Sequence, residues 1–325
     1  MSSMSLTSPS ISLRPRTYDT QKLAPIGLFV YNRPEHTQRT VDSLRENELA
    51  LQSNLFVFSD GAKNNGKTDS AVQEVRDFVH RIDGFRSVTI IQREWNFGLS
   101  RSVIAGVTQL CETSGCAIAV EDDMLTSRDF LTFMNRALVR YADEPRVLSV
   151  SGFNFALKPP AYYRYDAFCS YRSSSWGWGT WSDRWQSVDW SVSDYGAFHA
   201  DKTRQRMFNR GGEDLSRMLD LQMAGKIDSW AIRWAYTHFK RGSVALLPTA
   251  AKVRNIGLDR SGVHSGAGSA RQSALVTGRN SEYCFPDSLE LDPYFVTEIQ
   301  RMCRPSLPRK FARHFLDKLR PQAFA

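Results

Sequence analysis

The sequence predicts an α/β fold with a mostly parallel central sheet, and two observations carry this prediction. Short apolar runs alternate along the first half of the chain with longer segments whose apolar residues recur at helical spacing. The runs also lack the polar–apolar alternation of a half-exposed strand, which is typical of strands buried on both faces of a parallel sheet. Runs of this kind lie at 26–31, 55–58, 88–91, 117–120 and 147–150.

The segments between these runs predict helices. Val72, Val75, Val79 and Ile82, for example, fall on one face at a period of 3.6 residues. Beyond residue 160 the pattern changes, because aromatic residues crowd a stretch that has little periodicity. Residues 1–22 are rich in Ser, Pro and Arg and predict a disordered tail. The predicted helices are 35–49, 72–82, 103–110, 130–138, 214–224 and 230–240.

The composition is that of a soluble globular protein. Of the 325 residues, 42% are hydrophobic and 23% are charged, which supplies a sizeable core and excludes wholesale disorder. The five cysteines form neither a metal-ligand spacing nor an even disulfide set, and no apolar run approaches a membrane span. These features predict a cytoplasmic protein. The net charge of +8 favours anionic ligands, but without a nucleic-acid-binding motif we expect no nucleic-acid partner.

Polar residues follow four of the predicted strands. They are Asn32 and Arg33, Asp60, the segment 93–96 that ends at Asn96, and the acidic triplet 121–123. Ligands of open α/β sheets bind outside the carboxyl ends of the strands. The sequence therefore predicts a ligand site along one edge of the sheet.

The triplet Glu121, Asp122 and Asp123 is the most specific indication of a functional site in the sequence. Three neighbouring carboxylates repel one another unless a cation lies among them, and Mg²⁺ or Mn²⁺ prefers oxygen ligands that it shares with substrate phosphates. The alternative is a solvated turn whose acids cap the predicted helix at 127–141.

The segment 117–133 resembles the Glu-Asp-Asp strand and helix of GT-A glycosyltransferases. The similarity is closest to the β-1,2-N-acetylglucosaminyltransferase of N-glycan processing and to bacterial family 2-like sugar transferases. Further segments resemble motifs of these enzymes in the same order, and together they cover about residues 24–270. They are 29–34 (FVYNRP), 58–60 (FSD), 96–100 (NFGLS), 176–179 (WGWG), 228–230 (DSW) and the closing loop 248–266.

The resemblance implies an inverting, metal-dependent transfer of a sugar from a nucleoside diphosphate sugar, UDP-linked, to the hydroxyl of a glycan or a lipid-linked glycan. It implies a GT-A domain at 23–280, divided into a nucleotide-sugar half (23–155) and an acceptor half (156–280), and a basic helical extension at 281–325. Asp123 would bind Mn²⁺ or Mg²⁺, and Asp228 would be the general base. The implied donor-binding residues are Asn32, Arg33, Asp60, Asn96, Glu121, Asp122 and His264, and the implied acceptor-binding residues are Trp176 and Trp178.

Other interpretations stay open. The segment 61–68 (GAKNNGKT) fits the phosphate-loop pattern of an NTPase, although Asp60 places an anion where the phosphate cradle would begin. Asp228 is also a candidate N-cap of the next helix, and the tryptophans are candidates for core packing. A non-catalytic carbohydrate- or membrane-binding protein of the same fold is the remaining alternative.

The basic segment 301–320 has two interpretations. Phe311, Phe315 and Leu319 would share one helical face beside Lys and Arg, which suits peripheral contact with an anionic membrane at the inner face. The alternative is a helix packed on the domain with a solvated basic face.

Overall fold

The computed structural model describes residues 22–63, 66, 68–258, 272–276 and 282–304. Residues 1–21 of the predicted tail, Lys67 of the phosphate-loop pattern, His264 and the basic segment beyond residue 304 lie outside the described residues. None of the helices described in these ranges is long and apolar enough to cross a bilayer.

Within the described residues, eight strands form the central sheet in the order β3-β2-β1-β4-β8-β6-β9-β7. Strands β1 to β4 are mutually parallel, and β6 and β9 share their direction, whereas β8 and β7 run against their neighbours. This confirms the predicted α/β class with a mostly parallel sheet. The strands are β1 Ile26–Val30, β2 Asn54–Ser59, β3 Ser87–Gln92, β4 Cys116–Glu121, β6 Val147–Ser151, β7 Ala167–Ser170, β8 Trp178–Trp181 and β9 Val244–Pro248.

The helices cover the sheet, and residues with special backbone properties lie at several of their ends. Pro34 occupies the first turn of α1, where a missing N–H costs nothing. Gly115 ends α3 in the left-handed region, at φ 75°, which a residue with a side chain rarely adopts. The helices are α1 Pro34–Arg45, α2 Asp69–Val79, α3 Leu99–Ser114, α4 Phe130–Arg140, α5 Ser182–Trp185, α6 Tyr195–Ala200, α7 Lys202–Phe208, α8 Leu215–Met223, α9 Trp230–Lys240 and α10 Pro293–Met302.

The sheet joins both halves of the chain. Strand β8, from the aromatic stretch that lacks periodicity, lies antiparallel between β4 and β6. Its Trp178 packs on Trp230 at 4.8 Å and on Trp185 at 5.4 Å between ring centroids. Strands on either side of residue 155 therefore share one sheet and one core, while the predicted domain boundaries themselves stay a prediction.

The carboxyl ends of β1, β4 and β6 lie at one edge of the sheet, because these strands share a direction. A small two-stranded sheet stands beside this edge: β5 (Met124–Thr126) pairs antiparallel with β10 (Val253–Asn255). The pairing brings a segment from the predicted closing loop next to the acidic triplet. We refer to this edge as the carboxyl edge.

A histidine lies inside the core and is neutral in the folded state. His238 is fully buried in α9, its Nδ1–H donates to the carbonyl of Trp234 at 3.0 Å, and its Nε2 accepts from the Ser149 hydroxyl at 2.9 Å. Burial, together with the charge of Arg241, lowers the pKa of His238 to about 4.

This histidine predicts a pH-dependent stability. The unfolded chain takes up a proton near pH 6.5 that the folded protein does not accept until about pH 4, so stability is lost as pH falls through that window. We expect the free energy of unfolding, measured in urea, to fall between pH 7 and 4 by up to about 3 kcal/mol more than in His238→Gln. An equal pH dependence in the two proteins would contradict this assignment.

Candidate active site

The acidic triplet leaves β4 at the carboxyl edge and turns its aspartates inward. Asp122 and Asp123 are 4% and 6% exposed, which excludes a solvated turn. Strand β5 separates them from α4, whose N-cap is Asp129, so they do not cap that helix. The Thr40 hydroxyl donates to the carbonyl of Asp122 at 2.7 Å and fixes the turn on α1.

Arg33 is the cation that the structure places among these carboxylates. It comes from the carboxyl end of β1, and its Nη1 donates to Asp123 Oδ2 at 3.0 Å while its Nη2 pairs with Asp122 Oδ1. Asn32 precedes it at the same edge and is partly buried. The predicted neighbours Arg33, Asp122 and Asp123 are thus brought together across about 90 residues of chain.

The charges of this cluster are coupled. Burial raises the pKa of Asp122 to about 6, against the opposing effect of Arg33. Burial and the charges of Asp123 and Asp122 raise the pKa of Glu121 well above its usual range. With both aspartates ionised, Asp122, Asp123 and Arg33 together carry one net negative charge. The cluster therefore favours a further cation or a hydrogen-bond donor.

A short segment of the closing loop covers the aspartates. We call residues 255–257 the strap. Asn255 Nδ2 donates to Asp123 Oδ1 at 3.3 Å, and the N–H of Ile256 donates to the carbonyl of Asp123 at 2.8 Å. Gly257 lies so close that a Cβ there would stand 2.1 Å from Asp123 Oδ2. The strap thus fixes the orientation of the Asp123 carboxylate.

Asp60 and Asn96 form a second group at the edge, and they bind each other. Asp60 Oδ1 accepts the N–H groups of Gly61 and Phe97 at 2.9 and 2.7 Å. Its Oδ2 accepts Gly98 N–H at 3.0 Å and Asn96 Nδ2 at 3.1 Å. Asp60 therefore shapes the loop that leads into α3, and it engages the first N–H of the phosphate-loop pattern.

Asp228 is exposed at the beginning of α9 and does not cap it. The N-cap is Ser229, whose hydroxyl accepts the N–H of Ile232 at 3.3 Å. The side chain of Asp228 is 66% exposed and lies 3.5 Å from Arg233 Nη2. The same nitrogen is 2.5 Å from the hydroxyl of Ser100 in the first turn of α3. Arg233 therefore contacts both Asp228 and the first turn of α3, the helix that follows the Asp60–Asn96 group.

The two candidate acceptor residues have different surroundings. Trp178 is 2% exposed and packed within the aromatic core. Trp176 is partly exposed, meets Phe153 edge-on at 4.6 Å between centroids, and lines a cavity of about 300 Å³ beside the carboxyl edge. The structure therefore brings only Trp176 of this pair to a ligand-accessible surface.

The donor set at Asp123 suits a hard divalent ion in its chemistry. Among the described residues, no group of three or more His, Cys, Asp or Glu side chains is arranged to hold a metal ion, so the acidic triplet does not form a three-carboxylate site. Mg²⁺ is often held by one or two carboxylates together with substrate phosphates, and the oxygens of Asp123 meet that requirement. An ion there would share Asp123 with Arg33.

Sequence reasoning did not find Asn255, Gly257 and Arg233. Asn255 and Gly257 lie inside the loop that was predicted to close over the site, but their spacing alone carries no metal or catalytic pattern. Arg233 stands five residues after Asp228 on α9, and nothing in the sequence indicates that it reaches α3. These contacts depend on tertiary packing.

No protein-family model matches the chain, and no curated protein matches it in sequence. The chain shows distant likeness to solved structures, among them the following three. TarS of S. aureus is 13% identical over 47% of this chain and 25% of that chain, with a TM-score of 0.31. TarS 1–349 is 11% identical over 70% of this chain and 57% of that chain, with a TM-score of 0.38. A UDP-glucose pyrophosphorylase complexed with UDP-glucose is 9% identical over 70% of this chain and 90% of that chain, with a TM-score of 0.35.

The chain thus spans 25% and 57% of the length of the two TarS chains that it matches. Fold and site together define a class: an α/β protein with a buried, arginine-paired acidic cluster at the carboxyl edge of its sheet.

Proposed function

We propose that this protein is a glycosyltransferase that moves a sugar from a nucleoside diphosphate sugar to the hydroxyl of a glycan or lipid-linked glycan. The observation that carries the proposal is the buried cluster of Arg33, Asp122 and Asp123, covered by the strap. With both aspartates ionised the cluster carries net negative charge, so at the carboxyl edge of an α/β sheet it suits a ligand that brings a divalent cation on a diphosphate and offers hydroxyls to the carboxylates. A UDP-hexose or UDP-N-acetylhexosamine is such a ligand.

Asp123 would hold the divalent ion, Mn²⁺ or Mg²⁺, which stabilises the negative charge of a departing diphosphate when it is bound. Arg33 pairs with both aspartates, so its guanidinium offsets one of their two negative charges. Asp122 orients Arg33 and is a candidate partner of the ribose. Glu121, the last residue of β4, is the candidate partner of the donor sugar. His264 is proposed to bind the donor, as the resemblance implies.

Asp228 is the candidate general base. It is exposed and leaves the capping of α9 to Ser229, so its carboxylate is available to an acceptor hydroxyl. As the hydroxyl oxygen bonds to the anomeric carbon, its proton would pass to Asp228. The bond from that carbon to the diphosphate oxygen breaks, and the nucleoside diphosphate leaves with the bonding electrons. Attack from the opposite face inverts the anomeric centre.

The test is the release of nucleoside diphosphate from a panel of nucleotide sugars in the presence of Mn²⁺ and candidate acceptors. Asp228→Asn is expected to lower the transfer rate by about 10²- to 10⁴-fold, because it removes a general base. Asp83→Asn is the matched control, since Asp83 is 82% exposed. Unchanged transfer in Asp228→Asn would remove that residue from the mechanism. Hydrolysis of ATP or GTP that Lys67→Ala abolishes would favour the phosphate-loop alternative instead.

A methyl group at Gly257 should disturb the donor site without unfolding the protein. In Gly257→Ala the new Cβ would meet Asp123 Oδ2 at 2.1 Å and Arg33 Nη1 at 2.7 Å, so the strap or the carboxylate must move. We expect the affinity for UDP and Mn²⁺, measured by titration calorimetry, to fall about tenfold or more, which corresponds to ~1.4 kcal/mol.

The control for this experiment is Gly196→Ala. A Cβ at Gly196 has no heavy atom within 4 Å, and alanine is compatible with its position in α6. Equal UDP affinity in both variants would show that the strap does not shape the donor site.

A further inference from the structure

A cavity opens beside the carboxyl edge, and the predicted donor site does not account for it. We call it the Trp176 cavity. Its volume is about 300 Å³, at the lower end of the range for small-ligand sites. Its walls come from the segment after β6, the serines before Trp176, α8 and the first turns of α9. The residues that matter most for its chemistry are Phe153, Trp176, Trp230, Met218, Arg172 and Asp214.

The cavity offers aromatic surface and hydroxyl groups but no net charge. Arg172 is neutralised by Asp214 through two parallel hydrogen bonds of 2.8 and 2.9 Å, and its Nη1 also donates to the carbonyl of Gly211. Ser173, Ser174 and Ser175 add hydroxyl groups to the wall. A charged ligand would lose its hydration here without gaining a free counter-charge. The walls therefore favour a neutral ligand with one apolar face and several hydroxyls.

The cavity is joined to the candidate catalytic groups on two sides. On one side, Trp176 is followed by Gly177, which packs against Val253 in β10. A Cβ placed on Gly177 would lie 2.6 Å from Cγ1 of Val253. The same strand ends at Asn255, which donates to Asp123. On the other side, Trp230 follows Asp228 and Ser229 directly at the beginning of α9. The cavity thus lies between the segment that covers Asp123 and the segment that carries Asp228.

We infer that the Trp176 cavity binds one neutral pyranose unit of the acceptor. The apolar C–H face of the ring would lie against aromatic surface such as that of Trp176, and its hydroxyls would meet the serines. The volume suits one sugar unit rather than a long oligosaccharide, and the serine hydroxyls favour a polyol over an acyl chain. This inference rests on the proposed function, because it names the acceptor of that reaction.

The test uses the full-length protein and a panel of uncharged methyl pyranosides, with binding followed by saturation-transfer NMR. Met218→Trp fills the cavity and is expected to abolish the pyranoside signal. Trp176→Ala removes an aromatic wall and should weaken binding at least fivefold. Met207→Trp is the matched control, because Met207 is 51% exposed and does not line the cavity. Thermal melting of each variant checks that the fold is retained.

The outcomes separate the inference from the proposed function. Pyranoside binding that Met218→Trp abolishes and Met207→Trp preserves supports the inference, whether or not a donor is turned over. Absence of pyranoside binding by the wild-type protein overturns it, as does equal binding by Met218→Trp. Release of nucleoside diphosphate from UDP-sugars, measured in parallel without an acceptor, tests the donor site alone. If that release occurs while no pyranoside binds, only the inference fails.

Discussion

Replacing Asp123 with asparagine is expected to slow the release of nucleoside diphosphate by about 10³-fold, equivalent to ~4 kcal/mol of transition-state stabilisation. The shape of the side chain is nearly unchanged, and Asn255 still has an oxygen to contact. What is lost is the charge, on which both a bound divalent ion and the pairing with Arg33 depend. Because Asp123 is buried beneath the strap, water has little access to the position and does not compensate for the lost charge by solvating the ion or Arg33.

Two measurements distinguish this prediction from a general loss of structure. Mn²⁺ binding, followed by electron paramagnetic resonance in the presence of UDP, should weaken in Asp123→Asn and stay at the wild-type level in Asp83→Asn. The melting temperature should change little, since removal of the charge at Asp123 also relieves its repulsion with Asp122. Full turnover in Asp123→Asn would exclude the proposed donor site.

The first half of the fold could be predicted because most of its strands are buried and mainly apolar. This holds for β1, β2, β4 and β6, and the helices between them show a clear period of 3.6 residues. Strand β3 was also found from its apolar run, but it lies at the edge of the sheet and is partly exposed, so the prediction that it is buried on both faces is wrong. Strand β8 was missed because its sequence, Trp-Gly-Thr-Trp, has the composition of an aromatic cluster. Its place between β4 and β6 is set by pairing with both neighbours, and no local pattern records that.

For the candidate site, the sequence predicts which residues lie at the same edge of the sheet but not which side chains contact one another. The rule that ligands bind at the carboxyl ends of parallel strands brings Arg33 and the aspartates together, and the structure places them in contact. The rule does not say which polar groups face a ligand and which face one another. Asp60 and Asn96 share a hydrogen bond, and Trp178 lies in the core beneath Trp176. Such differences arise from side-chain packing between distant segments.

A buried ion pair connects the stability of the fold to the geometry of the site. Asp129, fully buried at the N-cap of α4, accepts Lys252 Nζ at 2.6 Å, the Ser127 hydroxyl at 2.6 Å and the Tyr283 hydroxyl at 2.8 Å. Lys252 is 4% exposed and directly precedes β10, which carries the strap. The pair therefore holds the beginning of β10 against the core.

Asp129→Ala is expected to lower the free energy of unfolding by about 3–5 kcal/mol, because it leaves the ammonium group of Lys252 buried without its carboxylate. Chemical denaturation with urea measures the change. Glu46→Ala removes one partner of an exposed pair and should cost less than about 1 kcal/mol. A loss as small in Asp129→Ala as in Glu46→Ala would show that Lys252 finds another partner or water.

The double variant Asp129→Leu/Lys252→Met separates the cost of an unpaired charge from the value of the pair. Replacing both charges with apolar groups is expected to recover much of the stability, since no buried ion is left uncompensated. Lys252 nevertheless fixes the start of β10 through a directional contact that methionine does not provide. The double variant should therefore recover stability more fully than UDP affinity. Equal recovery of both would mean that the β5–β10 pairing alone positions the strap over Asp123.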